Sequence, residues 1–300
     1  MPVIQRFSPI KRTLTAFLII SFGLVMAACS TPKLGSGELT ETSLYEQAQT
    51  ALRQGNYITA IEDLRRLEAD FPFGNYARSA QLSLIYAYYQ SNELALADAS
   101  AARFIRLHPN DNNVDYAYYL RGLSSFPESA DFFQSIFSSD LSRKSMRNAQ
   151  DSFLHFSQLI DRFPDSLYAD DTLQRMAYLR NLMARHELNI ANHYLDYKAY
   201  SAAINRAQYV LENFQKATAI PDALAVQVKA YRNLGLVEQA DTSLSLLKTN
   251  YPDYPAIQED GTFDVDYTEE RSRSIGRWLT FGLISNSKPP GFDTRDIYGQ

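Results

Sequence analysis

Few side chains in this 300-residue chain are of types that do covalent or acid–base chemistry, and they stand apart from one another. There is one cysteine, Cys29, and there are four histidines. His186, Glu187 and His193 come nearest to a metal set. The second histidine follows by seven residues, however, rather than at the spacing that puts two ligands one helical turn apart, and no third ligand stands near. Seven residues still fall on one helical face, so a surface or seam pair is the ordinary reading. The adjacent Asp170 and Asp171 point in different directions on a helix and suit a helix start, where carboxylates meet free backbone amides. A Ser-His-Asp set, a nucleophile elbow and a phosphate loop are all missing from the sequence. It therefore predicts no catalytic residue, no metal and no cofactor. What it has in abundance is aromatic side chains, 20 Tyr and 17 Phe, more than a helical core uses.

The surroundings of Cys29 give it a use. Arg6, Lys11 and Arg12 precede an apolar run from Leu14 to Val25, too short for a dedicated membrane helix, and Met26-Ala27-Ala28 closes it. Residues 1–28 read as a secretion signal. Small residues directly before the cysteine resemble the bacterial lipobox, with Met26 where Leu is commoner. That implies a diacylglycerol on the thiol, cleavage after Ala28 and acylation of the new amino terminus. Ordinary signal cleavage with a free Cys29 is the alternative. Three acyl chains would anchor the protein firmly, since one chain is marginal and two already hold. Ser30 stands where an Asp would resemble an inner-membrane retention signal, so the expected place is the periplasmic face of the outer membrane. With no second cysteine, no disulfide can form within the chain, and stability falls to packing. A formal charge of -5 disfavours a nucleic-acid partner.

Beyond residues 29–40, a small and polar tether, apolar residues recur at helical spacing from Leu44 to Phe71 on both sides of Gly55-Asn56. This predicts two antiparallel helices joined by a tight turn. Ala48 and Ala60 let the backbones approach. One such hairpin cannot bury its apolar face alone. From Gly55 to Asn92, and again from Pro72 to Pro109, is 37 residues, a period that indicates helical repeats. A third unit carries Tyr116, Tyr119, Leu120 and Gly122, then Ser152, Phe156 and Leu159. An insertion of roughly 18 residues interrupts it, of the kind that falls in loops on one face. Its Phe126, Phe132, Phe133, Ile136 and Phe137 either tuck back onto the repeats or await a partner. No Gly or Pro breaks Leu167 to Tyr197, which predicts one long helix whose last part opens a fourth unit. The fifth unit runs from Pro221 to Tyr251-Pro252. Thr268 to Ile284 has the spacing of one more helix, with Arg271, Arg273 and Arg277 on a basic side and Ile275, Trp278, Leu279 and Phe281 apolar. From Ser285 the composition suits a flexible tail.

Gly55, Tyr57, Ala60 and Pro72, then Asn92, Leu94, Ala97 and Pro109, then Gly235, Val237, Ala240 and Pro252 match the tetratricopeptide pattern. The fourth unit replaces the turn Gly with Lys198 and the closing Pro with Gln215. The fold class predicted is all-α, an α-solenoid of about five tetratricopeptide helix hairpins. With the lipobox Cys29, the stretches Phe71-Pro72-Phe73-Gly74, Tyr116 to Gly122, Phe132-Phe133, Phe163-Pro164-Asp165-Ser166 and Tyr200 to Arg206 resemble the BamD family, lipoproteins of the outer-membrane β-barrel assembly machine. The resemblance covers Cys29 to about Pro252.

It implies a non-catalytic scaffold. The C-terminal repeats would bind the periplasmic domains of BamA, companion lipoproteins of the same machine would be contacted, and the N-terminal repeats would receive the C-terminal strands of unfolded outer-membrane proteins. The organisation expected is a signal peptide over 1–28, a lipidated tether over 29–40, substrate-groove repeats over 41–165, BamA-binding repeats over 166–254, and a C-terminal helix and tail over 255–300. First-helix positions that alternate with the packing positions Ala48, Ala51, Ile85 and Tyr88 line the concave wall of such repeats: Tyr45, Gln49 and Arg53, then Ser79, Leu82, Tyr86 and Tyr89, then Tyr116 and Tyr119. A row of tyrosines suits an extended aromatic-rich peptide, each ring burying large area at low entropy cost and keeping a hydroxyl. Ordinary helix-to-helix core is the other reading of the same row. Asn205, Arg206, Arg271, Arg273 and Arg277 are the candidates for polar contacts with the partner. A function of another class also fits tyrosine rows, since they stack on sugars: a periplasm-facing glycan-binding or other envelope scaffold.

Overall fold

In a computed structural model, which describes residues 40–126, 143–265 and 267, the chain forms ten α-helices among the described residues. They pair as five antiparallel hairpins: α1 (Glu41–Arg53) with α2 (Tyr57–Asp70), α3 (Ala77–Gln90) with α4 (Leu94–Leu107), α5 (Val114–Ser125) with α6 (Arg143–Arg162), α7 (Ala169–Asp196) with α8 (Tyr200–Asn213), and α9 (Ile220–Asn233) with α10 (Val237–Asn250). Each helix packs chiefly on its chain neighbours, and first helices also meet across repeats, α3 on α5 and α7 on α9. The expected solenoid is therefore present, with its long helix spanning the third and fourth units.

The hairpins close through the backbone. Gly55, Asn92, Lys198 and Gly235 all have φ between 59° and 74°, in the left-handed region. After each, the next amide donates to the carbonyl five residues back: Asn56 to Ala51 at 2.9 Å, Glu93 to Tyr88 at 2.9 Å, Ala199 to Tyr194 at 2.8 Å and Leu236 to Tyr231 at 2.9 Å. This is the Schellman closure, which satisfies the orphan carbonyls of the first helix while reversing the chain. Asn56 also caps α2, its Oδ1 accepting from the Thr59 amide. Between hairpins the stop is equally regular. The amides of Phe71, His108, Phe163, Phe214 and Tyr251 each donate to the carbonyl four residues back. Phe214 does so although Gln215 replaces the usual proline, so the aromatic stop carries the turn without it.

The seam inside each hairpin is set by a small residue. Ala60, Ala97, Ala149, Ala203 and Ala240 are all fully or almost fully buried, which lets the two backbones approach. In the third unit the contact is tighter still. An added Cβ at Gly122 would lie 2.3 Å from the Phe156 ring, and the Ser152 hydroxyl donates to the Gly122 carbonyl at 2.8 Å. Phe126, the first aromatic of the insertion, is buried and set edge-on to Tyr178. Phe132, Phe133, Ile136 and Phe137 lie outside the described residues, as do Cys29 and the segment from Thr268 onward.

Beyond Pro255, where the repeat pattern stops, the chain has an ordered course that its sequence does not announce. Residues 254–265 turn back over α9 and α10 through an isolated bridge between Ile257 and Phe263. They bury Ala256 and Phe263 against Leu224, Val228, Leu244 and Leu247. The repeat pattern could not announce this, because the segment is not a helix and is held on the last hairpin by apolar contacts together with hydrogen bonds from Arg232 to the Phe263 carbonyl, from Lys229 to the Tyr267 carbonyl and from the Tyr254 hydroxyl to Asp222.

Space around Gly235 is open, with nothing within 4 Å of an added Cβ, so the requirement there is the positive φ and not room. Left-handed backbone costs an L residue about 1 kcal/mol or more, while glycine loses more freedom on folding. Gly235→Ala is expected to lower stability by about 1 kcal/mol, and Lys198→Gly to raise it by about 0.5 kcal/mol, in thermal unfolding followed by circular dichroism.

Candidate functional site

The expected aromatic row divides in two. Tyr116 and Tyr119 are 0% and 1% exposed, so they belong to the core rather than to an open wall. The reason is α6 and the turn that follows it. Tyr168, just ahead of α7, stacks on Tyr119 at 4.8 Å between ring centroids and meets Tyr116 at 5.2 Å, and Phe156 of α6 closes the other side of Tyr119. The Tyr119 hydroxyl donates to Asp171 Oδ2 at 2.7 Å, and Arg175 Nε donates to the same carboxylate oxygen at 2.5 Å. Burial pushes the Tyr119 phenol up, Arg175 opposing and Asp171 reinforcing, so it stays a donor. Asp171 is thus more than a helix-start residue: α7 has no side-chain cap, and its carboxylate ties α5 to α7. Tyr118, which sequence reasoning had left out, faces the second helix of its hairpin and receives a hydrogen bond from Arg162.

The other half of the row lies at the first two repeats. Tyr45 is buried, stacked on Tyr76 at 4.6 Å, and serves the first core cluster. Gln49 is half-buried and its Nε2 donates to Ser83 Oγ at 3.0 Å, bridging α1 and α3. Arg53 is exposed at the end of α1, within reach of Thr50 Oγ1 at 2.9 Å. Tyr86 and Tyr89 are half-buried on α3. Tyr86 meets the Tyr57 ring edge-on at 6.4 Å, and burial, with Tyr57 beside it, pushes its phenol up. Tyr89 packs partly against both the first cluster and the larger central one. The packing set expected from spacing, Ala48, Ala51, Ile85 and Tyr88, is buried, but so are Ser79 and Leu82, which the alternation puts on the wall and which pack inward instead. What remains accessible is a polar and aromatic surface over α1, the start of α2 and α3. Tyr57 belongs to it, a residue that the sequence presents only as the first position after a turn.

In the C-terminal half, Arg206 Nη1 donates to Glu187 Oε2 at 2.8 Å, and that bond holds the guanidinium above its ordinary range. Arg206 keeps part of its surface in solvent and Asn205 beside it is exposed. Glu187 is thereby engaged. Burial pulls His186 down, and His193 lies against Tyr197 at 4.6 Å. The three residues that most resembled a metal set thus have separate neighbours, and no cluster of three metal-type ligands occurs among the described residues. Arg271, Arg273 and Arg277 lie outside those residues. No described helix is long and apolar enough to cross a membrane.

A family model described as "Outer membrane lipoprotein" (YfiO) matches residues 37–246. Proteins named "Outer membrane protein assembly factor BamD" are similar over most of their length. That of Vibrio cholerae serotype O1 is 35% identical over 239 residues, covering 80% of this chain and 98% of the relative. That of Xylella fastidiosa (strain Temecula1) is 36% identical over 261 residues, covering 85% and 88%. That of Neisseria meningitidis serogroup A is 36% identical over 246 residues, covering 80% and 92%. A solved tetratricopeptide repeat protein from Parabacteroides merdae overlaps 71% of this chain and 67% of its own at 13% identity, with a TM-score of 0.34.

Tyr119→Phe separates core from wall. It leaves Asp171 with Arg175 alone and is expected to cost about 1–2 kcal/mol of stability, as for a hydrogen bond to a partly exposed charge. Peptide affinity should stay unchanged in the same protein, measured by isothermal titration.

Proposed function

The chain belongs to the YfiO family of outer membrane lipoproteins, and we propose that its solenoid is a non-catalytic scaffold on which incoming β-barrel proteins are received and handed to the machine that inserts them. It is an outer-membrane protein assembly factor, associated with that membrane. In this reading Cys29 carries the lipid, which holds the chain at the periplasmic face.

The observation that carries the receiving role is the state of Tyr86 and Tyr89. They are half-buried and propped by Tyr57 and by the core clusters, so their rings are ordered before anything binds. A pre-ordered ring loses little freedom on binding, and its hydroxyl still serves an extended backbone. An unfolded β-barrel chain ends in a strand that alternates apolar and polar side chains and closes on an aromatic residue. Such a strand needs aromatic surface for its side chains and polar groups for backbone and carboxylate. Gln49 and Arg53 stand on the same two repeats to supply the latter. Tyr45, Tyr116 and Tyr119 act from beneath, as the packing that fixes the wall.

The C-terminal repeats hold the partner, the periplasmic domains of BamA, with companion lipoproteins alongside. Arg206 presents a charge already oriented by Glu187, and Asn205 adds an exposed amide. Pre-orientation by a neighbouring carboxylate favours a fixed polar contact over a diffuse one.

Two measurements test these assignments. Affinity purification of the lipidated chain from detergent-solubilised outer membranes should recover a large β-barrel protein with periplasmic repeats, and Arg206→Glu should reduce that recovery. Recovery of no such barrel under gentle detergent would refute the scaffold reading. Separately, Tyr86→Ala combined with Tyr89→Ala should weaken binding of a C-terminal barrel-strand peptide by about ten- to a hundredfold while helicity is kept. Unchanged peptide affinity, or affinity for envelope sugars in its place, would overturn the groove assignment.

A further inference from the structure

Six residues join each hairpin to the next: 71–76, 108–113, 163–168 and 214–219. The four turns share two backbone bonds. The carbonyls of Phe71, His108, Phe163 and Phe214 accept from the amide three residues on, and those of Gly74, Asp111, Ser166 and Ala217 accept from the first residue of the following helix. Equivalent positions therefore have equivalent backbone. The third position is Phe73, Asn110, Asp165 or Lys216 and the fifth is Asn75, Asn112, Leu167 or Thr218, all of them exposed. Polar side chains thus satisfy the turn, and nothing in its geometry calls for an apolar one. Yet Phe73 is 99% and Leu167 91% exposed, the highest values of any large apolar residue among the described residues. Leu107, which ends α4 beside the second turn, adds a third at 54%. In the fourth turn the exposed positions are Gln215, Lys216 and Thr218, all polar.

The three apolar turns share one edge of the solenoid. Because the hairpins are antiparallel, every first helix begins at that edge and every second helix ends there. Side chains tie the row together. Glu41 Oε1 accepts from the Tyr76 amide at 2.5 Å, Arg78 Nη1 donates to Asp111 Oδ2 at 3.1 Å, and Ser166 Oγ donates to Asp115 Oδ2 at 2.6 Å. Each bond links the start of one first helix to the turn ahead of the next, so the edge is ordered before anything meets it. The chain also enters the fold here. Thr40 caps α1, and the carboxylate of Glu41 fills the space over Gly74, next to Phe73. Even with residues 30–39 fully extended, Cys29 lies no more than about 40 Å from this turn.

We infer that this edge rests on the lipid bilayer, with Phe73 and Leu167 inserted among the headgroups and upper acyl chains and Leu107 beside them. The inference rests on the lipid proposed for Cys29. A side chain as exposed as Phe73 stands proud of its own protein, and a fluid bilayer takes such single side chains without a matching surface. Two or three of them gain little alone. The anchor makes their insertion intramolecular, which raises their effective concentration at the membrane. Exposed charges along the edge are of both signs, Arg78 and Arg106 against Asp165 and Asp170, so the contact is apolar and insensitive to salt. The helices then stand upright, with the Gly55 and Asn92 turns about 20 Å above the membrane.

The test places tryptophan on the edge of the full, lipidated chain, with Trp278→Phe as background. In vesicles of phosphatidylethanolamine and phosphatidylglycerol, the emission of Phe73→Trp and of Leu167→Trp is expected to shift to the blue. It should be lost when the lipids carry brominated acyl chains, at high salt as at low. Ile58→Trp, at a position 71% exposed at the opposite end of α2, is expected to stay red and unquenched. The mass of the amino-terminal peptide reports the lipid separately. Without acyl chains on Cys29, the anchor and this inference fall together. With the acyl chains present and either edge tryptophan unquenched, this inference alone falls; a blue shift in that case would mean that a second copy or another protein covers the edge. Quenching of Ile58→Trp in their place would put the opposite edge on the membrane and overturn it equally.

Discussion

An amphipathic helix hairpin leaves one face uncovered, and each repeat of this chain is stable only because the next one covers it. The condition on the chain is geometric before it is chemical. The two helices of a hairpin must lie close enough that their joint face is continuous, which the fully buried alanines at the fourth position of α2, α4, α8 and α10, and Ala149 in α6, enforce. A larger side chain at any of these places would separate the helices and misalign the surface offered to the next repeat. Overpacking of this kind costs about 1–3 kcal/mol locally. Here it would propagate, since neighbours share nearly every contact.

That dependence explains how tyrosines of similar spacing came to opposite uses. On α3 the wall beside Tyr86 and Tyr89 has only Tyr57 and the cluster edges against it, so the rings keep an open side. On α5 the matching places are closed by Phe156 and Tyr168 and by the carboxylate of Asp171, and the same residue type becomes core. Tyrosine tolerates both, because a buried ring still places its hydroxyl on an acceptor.

The sequence made the repeats legible because their signals are local. A left-handed turn, an alanine five places beyond it and an aromatic stop lie within one hairpin, and Lys198 and Gln215 depart from the pattern without altering the backbone. The site was legible only in part because its geometry is not local. Tyr119 and Asp171 are 52 residues apart, and only their contact shows that one is buried and the other is a tie between helices. Tyr57 was passed over for the same reason: its neighbour Tyr86 belongs to the following repeat. The covering role of residues 254–265 has no periodicity to betray it.

The 28-residue helix α7 belongs to two repeats at once, its first half packed on α6 and its second on α8 and α9. At about 1.5 Å per residue it is a strut of roughly 42 Å with no glycine or proline to bend it. One continuous apolar cluster, from Leu82 on α3 to Ala230 on α9, is wrapped around it. The tyrosine surface of the first two repeats and the Arg206 surface of the fourth therefore have no hinge between them. In mechanical terms the molecule is a lever: a tilt imposed on its C-terminal repeats swings the tyrosine wall through an arc, where a jointed chain would absorb the motion.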